Sequence, residues 1–362
     1  SAPEGIRWLG TSIASLSTLQ SVLVVGSNLR KDHPLFAQRI RQAARHGCQV
    51  IALDSVERDW AIPVKHFLKQ AASQWVQALG GIAAAVAQEK GVAGPAGSFV
   101  IDDAATAVAR SLMAGERKAV LLGNAAAHHA QATQLLALAN WIGEHTGATV
   151  GYLTEAANTV GAQFVGAHPV KGGLNAAQML SGGLKAVLLL NNEPVHDSSA
   201  GARATDALSG AEMVVTLSPF KANMEFSDVL LPIAPFTETS GSFINAEGRL
   251  QSFHAVVRPL GDTRPAWKVL RVLANMLEIP GFDFETSQDV LVRATNAAPG
   301  AFSQIDAAQL SNAVTGGVTA SVSGAVGEPV VASIYQLDGL VRRSPSLQLT
   351  ADARMAREEV AA

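Results

Sequence analysis

Three times the chain sets a short, wholly aliphatic run directly before a corner of glycine or asparagine: SVLVVGSN (21–28), KAVLLGNA (118–125) and KAVLLLNNEP (185–194). An uninterrupted apolar strand has to be covered on both faces, as happens inside a parallel sheet. Each corner leads into a longer stretch of helical period. After the first, Pro34 suits the opening turn, and Phe36, Ile40 and Ala43 or Ala44 recur at helical spacing. Arg39, Arg41 and Arg45 face outward, and Gly47 can close the helix in a left-handed conformation before the strand CQVIAL. The pattern predicts an α/β protein with doubly wound, mostly parallel, Rossmann-like sheets. Further strands are predicted at ATVGYL (148–153), AEMVVTLSP (211–219) and SDVLLPI (227–233), and a helix at 128–147. A second helix is predicted at 263–279, with Thr263 as its N-cap and Pro265 in its first turn, packed as the last helix on the second sheet.

The 362 residues leave room for two buried cores. QEKGVAGPAGS (88–98) lacks periodicity and is rich in Gly, Ala and Pro, so the domain boundary is expected there. This gives a first α/β domain over 1–95, cut at its N-terminus, and a second over 96–282 that includes a hairpin at 240–257. A low-complexity tail follows over 283–362, where SNAVTGGVTASVSGAVGEPV (311–330) offers few large side chains and an extended, irregular course is expected.

Charged residues make up 16% of the chain and the net charge is -3, so no field of one sign exists to recruit nucleic acid or an anionic membrane. Cys48 is the only cysteine. An internal disulfide and any site needing several thiolates are thereby excluded, and Cys48, placed where a strand begins, reads as a small buried hydrophobe in a reducing compartment. The longest apolar runs, AVLLL and VLLPIAPF, fall well short of the roughly 20 residues of a membrane span. The opening SAPEGIRWLG has neither an initiating Met nor a secretory pattern, and reads as a cut in something longer.

In open parallel sheets ligands collect beyond the carboxyl ends of strands, where Gly26, Ser27 and Asn28 stand. GSN is neither a G-x-G-x-x-G fingerprint nor a P-loop, so a tight turn is favoured over a phosphate cradle. His128 and His129 are adjacent, point about 100° apart on a helix and cannot pair on a metal; they read as exposed helix-start residues. His196, Asp197 and Ser198 carry the residue types of a catalytic triad without its geometry, and Asp197 or Ser198 reads as a helix cap. NAEG (245–248) suits a type I turn between the strands SFIN and RLQSFHAVV. Glu247 and Arg249 could pair with each other or, with Glu238, fasten the hairpin. Alternatively Arg249 could grip a phosphate, and spacing leaves these open.

The strand and corner VLVVGSN, followed by His33-Pro34 and RIRQAARHGCQVIALD (39–54), resembles the molybdopterin-oxidoreductase superfamily, whose fold is of the formate dehydrogenase and DMSO reductase type. So does FSDVLLPIAPFTETSGSFINAEGRLQ (226–251), which joins Ser227-Asp228, Pro232, Glu238, Gly241, Asn245, Glu247-Gly248-Arg249 and Gln251 in order. With Trp267-Lys268 opening a helix and the tail YQLDGLVRRSPSLQLTADA (335–353), the chain is similar to the C-terminal part of the large peripheral-arm subunit of bacterial NADH-quinone oxidoreductase, respiratory complex I. The resemblance implies a non-catalytic scaffold with no cofactor or metal of its own, iron–sulfur clusters being carried by an N-terminal part. It implies other peripheral-arm subunits as partners, no nucleic acid, and a cytoplasmic position at the inner face of the bacterial membrane without insertion. Gly26, Ser27, Asn28, Asp54 and Arg249 would then border a vestigial dinucleotide crevice. The alternatives are a fragment of a working molybdopterin enzyme such as a formate dehydrogenase, or a free-standing nucleotide-binding module.

Overall fold

In the computed structural model, which describes residues 5–170, 172–314 and 332–355, the first aliphatic run lies at the centre of a five-stranded parallel sheet. β1 (Ser21–Val25) pairs with β2 (Gln49–Asp54) on one side and with β4 (Lys118–Leu122) on the other. β3 (His66–Lys69) and β5 (Thr149–Tyr152) complete the order β3-β2-β1-β4-β5. The short helix α1 (Leu29–Asp32) follows β1 and leads into α2 (Pro34–Arg45). α3 (Trp75–Lys90), α4 (Asp103–Met113), α5 (Asn124–Ala127), α6 (Ala132–Thr146) and α7 (Thr159–Phe164) complete the helices of this unit. Alternate strand residues explain the unbroken apolar runs. Leu23, Val25, Ile51, Leu53, Val120 and Leu122 share one core with residues of α3, α4 and α6. Val22, Val24, Val50, Ala52, Ala119 and Leu121 share the opposite one with residues of α2. Both faces are thus dry, as a parallel sheet requires.

The described chain divides into two compact units: 5–164, 244–249 and 304–314 form the first, and 165–170, 172–243, 250–303 and 332–355 the second. The boundary expected near residue 95 falls inside the first unit, because Lys118–Leu122 pairs in register with Ser21–Val25. The Gly- and Pro-rich stretch is instead the connection from α3 to α4. Gly91 closes α3 at φ 64°, and Phe99 lies so close over Gly80 that a Cβ there would meet its ring at 2.1 Å.

The second unit holds a parallel sheet of three strands, β6 (Ala186–Leu190), β7 (Met213–Ser218) and β8 (Val229–Pro232). Helices α8 (Ala176–Met179), α9 (Pro194–Asp197) and α10 (Arg203–Ser209) connect its strands or precede them. Leu189 and Val214 pack with Leu208 and Phe226. Leu188 and Leu190 point the other way and are 47% and 43% exposed, so the third aliphatic run is covered on one face only among the described residues.

The helix predicted at 263–279 is α11 (Ala266–Met276), with Pro265 at its cap position. Thr263 bonds through its hydroxyl to the Leu260 carbonyl instead of capping. Nor is α11 the last helix. α12 (Ser287–Thr295) starts in a capping box of Thr286 and Asp289, and α13 (Ile334–Leu337) and α14 (Pro345–Gln348) follow, so the stretch read as an extended tail carries helical turns. Of the low-complexity segment 311–330, residues 315–330 lie outside the described residues.

The hairpin forms as predicted from β9 (Gly241–Ile244) and β10 (Leu250–Phe253). The Gly248 N–H donates to the Asn245 carbonyl at 2.9 Å, and Asn245 Oδ1 accepts the N–H groups of Glu247 and Arg249. Gly248 sits at φ 85°, the left-handed residue that follows a type I turn in hairpins of this length. Its acids, however, work apart from Arg249. Glu247 accepts the backbone N–H of Ile13 at 2.7 Å, 234 residues away in sequence, and Glu238 accepts that of Leu260 at 3.0 Å. Removing a charged acceptor strands the N–H it served, so Glu247→Ala should destabilise the first unit by about 1–3 kcal/mol. The measurement is the urea midpoint at unchanged slope, with Glu247→Gln, which keeps an acceptor oxygen, falling between.

Candidate functional site

The strand order places the switch of winding direction between β1 and β4, and a crevice at such a point is where α/β sheets take ligands. The chain leaves β1 through Gly26, at φ 62°. A Cβ on Gly26 would come within 2.7 Å of the Ala126 backbone nitrogen and 2.8 Å of the Trp75 ring, and one on Gly123, just past β4, within 2.4 Å of the Ser27 Cβ. Only glycine fits either place. The two corners are also tied by the Gly123 N–H to the Val25 carbonyl and the Ala125 N–H to the Gly26 carbonyl.

What the corner does with its N–H groups decides what it can hold. The Asn28 N–H donates to the Asp32 carboxylate at 3.0 Å, across the single turn of α1. The Asp54 carboxylate at the end of β2 accepts the Ser55 N–H at 2.7 Å, has Arg58 at 3.9 Å, and lies near the Ser27 N–H, which helps to hold it ionised. A turn that would present its amides to a phosphate therefore gives one to Asp32 and turns the other toward Asp54.

Around this corner charges are held in unusual states. Burial raises the Asp32 carboxyl to about 6, with the Asn28 N–H and Arg58 opposing and Asp54 and Glu155 adding to it. Burial likewise raises Asp54, against the pull of Arg58 and its backbone donors. His33 is 5% exposed and stacks on Phe36 at 5.8 Å. Burial lowers it to about 4, with Asn124 and Glu155 offsetting only part. The His128 ring bonds to Glu155 at 2.7 Å, which raises the histidine and lowers the acid. Ser27 Oγ, His33 Nε2 and Asn124 Oδ1 are shielded from solvent and have no hydrogen-bond partner among the described residues.

Of the residues singled out in the sequence, Gly26, Ser27, Asn28 and Asp54 come together here. Arg249 stays in the hairpin turn, exposed, its guanidinium bonded to none of the described residues. The histidine pair splits. His128 is open and paired with Glu155, whereas His129 is buried, stacked on Trp75 at 5.6 Å and bonded to the Ala72 carbonyl, because α6 begins only at Ala132. Asp197 accepts the Glu193 N–H at 2.7 Å and Ser198 donates to the Pro194 carbonyl, both closing α9. Cys48 is buried, which pushes its thiol up to about 11, and it precedes β2 at the amino edge of the sheet, opposite the crevice. Asp32, His33, Asn124, His128 and Glu155 were not recognised as a cluster from the sequence; they reach it from three strand ends that only the sheet order brings together. Among the described residues no group of three His, Cys, Asp or Glu side chains could hold a metal ion.

A family model described as molybdopterin oxidoreductase matches residues 4–276. Among curated relatives, the probable oxidoreductase YjgC of Bacillus subtilis (strain 168) is 37% identical over 75 residues, covering 21% of this chain and 8% of its own. A putative formate dehydrogenase of Staphylococcus aureus (strain USA300) is 42% identical over 59 residues, covering 16% and 6%. The match thus spans less than a tenth of either relative. Acetylene hydratase from Pelobacter acetylenicus superposes with a TM-score of 0.55 at 11% identity, over 79% of this chain and 53% of that one, and shares its fold.

Proposed function

From the premise that this chain belongs to the molybdopterin oxidoreductase family, we propose that it is a non-catalytic scaffold portion of a respiratory NADH-quinone oxidoreductase, corresponding to the C-terminal part of the large peripheral-arm subunit. In this reading the α/β units support an iron–sulfur electron path carried elsewhere in that subunit and give surface to neighbouring peripheral-arm subunits. No helix among the described residues is long and apolar enough to cross a membrane, and attachment to the membrane would come through the complex.

The observation that carries the reading is the self-filled corner. A pterin dinucleotide bound across the switch point would direct its pyrophosphate at the amides of Ser27 and Asn28. The Asn28 amide serves Asp32, Asp54 stands near the Ser27 amide, and Glu155 adds a third acid nearby. A dianionic group would meet like charge in a half-buried site, where such repulsion is screened least. The lone thiol, Cys48, stands at the other edge of the sheet. In this reading the acids that crowd the corner disfavour the family's dianionic cofactor.

The test uses the protein purified from its native membranes. Acid oxidation should yield no fluorescent pterin and elemental analysis no molybdenum above background, while the chain co-fractionates with NADH-oxidising, quinone-reducing activity. Stoichiometric pterin or molybdenum would sink the scaffold reading in favour of a formate dehydrogenase-like enzyme. Stabilisation by a guanine or adenine dinucleotide, without either, would favour a nucleotide-binding module.

A further inference from the structure

The corner after β1 has a twin in the second unit. β6 ends at Leu190, and Asn191 follows at φ 50° where Gly26 follows β1 at φ 62°. The Asn191 N–H reaches across to the Leu217 carbonyl of β7 at 2.8 Å, as the Gly26 N–H reaches the Leu53 carbonyl of β2 at 2.9 Å. Two residues on, the Glu193 N–H donates to the Asp197 carboxylate at 2.7 Å, as Asn28 donates to Asp32 at 3.0 Å. α9 spans four residues, as does α1. Chain path, left-handed residue and returned carboxylate all correspond.

The twins differ in what meets the acid. Asp32 has Arg58 only as a Coulombic neighbour, whereas Asp197 receives Arg342 at 3.1 Å, from the segment 332–355. The same guanidinium meets Glu193 at 2.8 Å and donates to the carbonyls of Gln336 and Leu337, each at 2.9 Å. Arg343 adds bonds to both Glu193 oxygens, at 2.8 and 2.9 Å, and its guanidinium lies 4.2 Å over the ring of Phe220, in the loop after β7. The Arg342 and Glu193 side chains are 11% and 14% exposed. This is unlike an open surface pair, whose contribution is near zero: it combines low exposure, forked geometry, two adjacent guanidinium groups and a ring.

We propose that residues 332–355 act as an arginine latch on the carboxyl edge of the second sheet, Arg342 and Arg343 taking a guanidinium seat built from Glu193, Asp197 and Phe220. The seat lies at the carboxyl ends of β6 and β7, the edge that in the first unit carries the corner after β1. Because Arg343 touches both the corner after β6 and the loop after β7, releasing the latch loosens both. This device stands whether or not the chain is a scaffold of a respiratory complex.

Hydrogen exchange of the whole chain, followed by mass spectrometry, tests it. In Arg342→Gln/Arg343→Gln, and separately in Glu193→Gln/Asp197→Asn, amides of 334–354 and of 191–198 should both exchange about tenfold faster or more, one factor of ten being about 1.4 kcal/mol, while β1 to β5 keep their protection. Arg343→Lys keeps the charge but loses the fork and the ring stacking, and should loosen the same two segments to a smaller degree. If a double variant loses protection throughout, that graded response still carries the proposal. Unchanged exchange in both segments, or a loosened 334–354 beside an unchanged 191–198, would overturn it.

Discussion

Trp75→Ala should be the most damaging single substitution in the first unit, costing about 3–5 kcal/mol, the range for deleting a large buried aromatic. Trp75 is fully buried and opens α3 inside the core shared by β1, β2 and β4. Its indole N–H donates to the Gln70 carbonyl at 2.9 Å, its face stacks on His129, and its ring edge lies where a Cβ on Gly26 would project. One side chain therefore fills the core, satisfies the chain leaving β3, and supports the corner after β1 from beneath. Loss of the ring leaves a cavity and an unpaired carbonyl together. Trp75→Phe, which keeps most of the volume and loses the donor, should cost roughly 1–3 kcal/mol. Urea unfolding followed by far-UV circular dichroism reads both. A Trp75→Ala midpoint close to that of the parent would mean that α3 does not pack on the sheet as described.

Local signals carried the elements, and distance in sequence hid the site. The aliphatic runs, Pro34 at the start of α2 and Gly47 after its end were legible because each rule acts within a few residues. The strand-end rule placed Gly26, Ser27 and Asn28 just beyond β1, and Asp54 came only from the resemblance. Asn124 and Glu155 enter the site only because β4 lies beside β1 and β5 beside β4 in the order β3-β2-β1-β4-β5, which no local pattern states. Glu247 looked like a partner for Arg249 two residues away, and its true partner is the Ile13 amide. The boundary was misplaced for a related reason: glycine, alanine and proline mark a turn equally well between domains and between two helices of one domain. Asp32 had a usable signal. An acid four residues after Asn28 can fold its carboxylate onto that amide, and Asp197 after Glu193 repeats the spacing.

Asp32 and His33 should give the first unit two opposed pH dependences that hide each other in the parent protein. Asp32 titrates near 6 when folded, above its ordinary 3.8. Between those values the folded state holds the extra proton, so its contribution to stability falls as pH rises from about 4 to 6. His33 titrates near 4 when folded, below its ordinary 6.5. Here the unfolded chain holds the extra proton, and the contribution rises as pH climbs from 4 to 6.5. Each shift is a little over two units, at most about 3 kcal/mol at 1.36 kcal/mol per unit, and Asp32, being partly exposed, gives less. Asp32→Asn keeps an acceptor for the Asn28 N–H and removes the falling contribution. Relative to the parent it should gain about 1–3 kcal/mol as pH is raised through this window, and be more stable than the parent above pH 6. His33→Gln removes the rising contribution, so relative to the parent its stability should decline over the same window. Other titrating groups, including His128 and Glu155, largely cancel in these differences because both proteins contain them. Urea unfolding of the three proteins across the window supplies the curves. Parallel curves would mean that neither side chain is held in the buried state that the corner imposes, and the claim that the protein's own acid fills the place of a bound anion would fail with it.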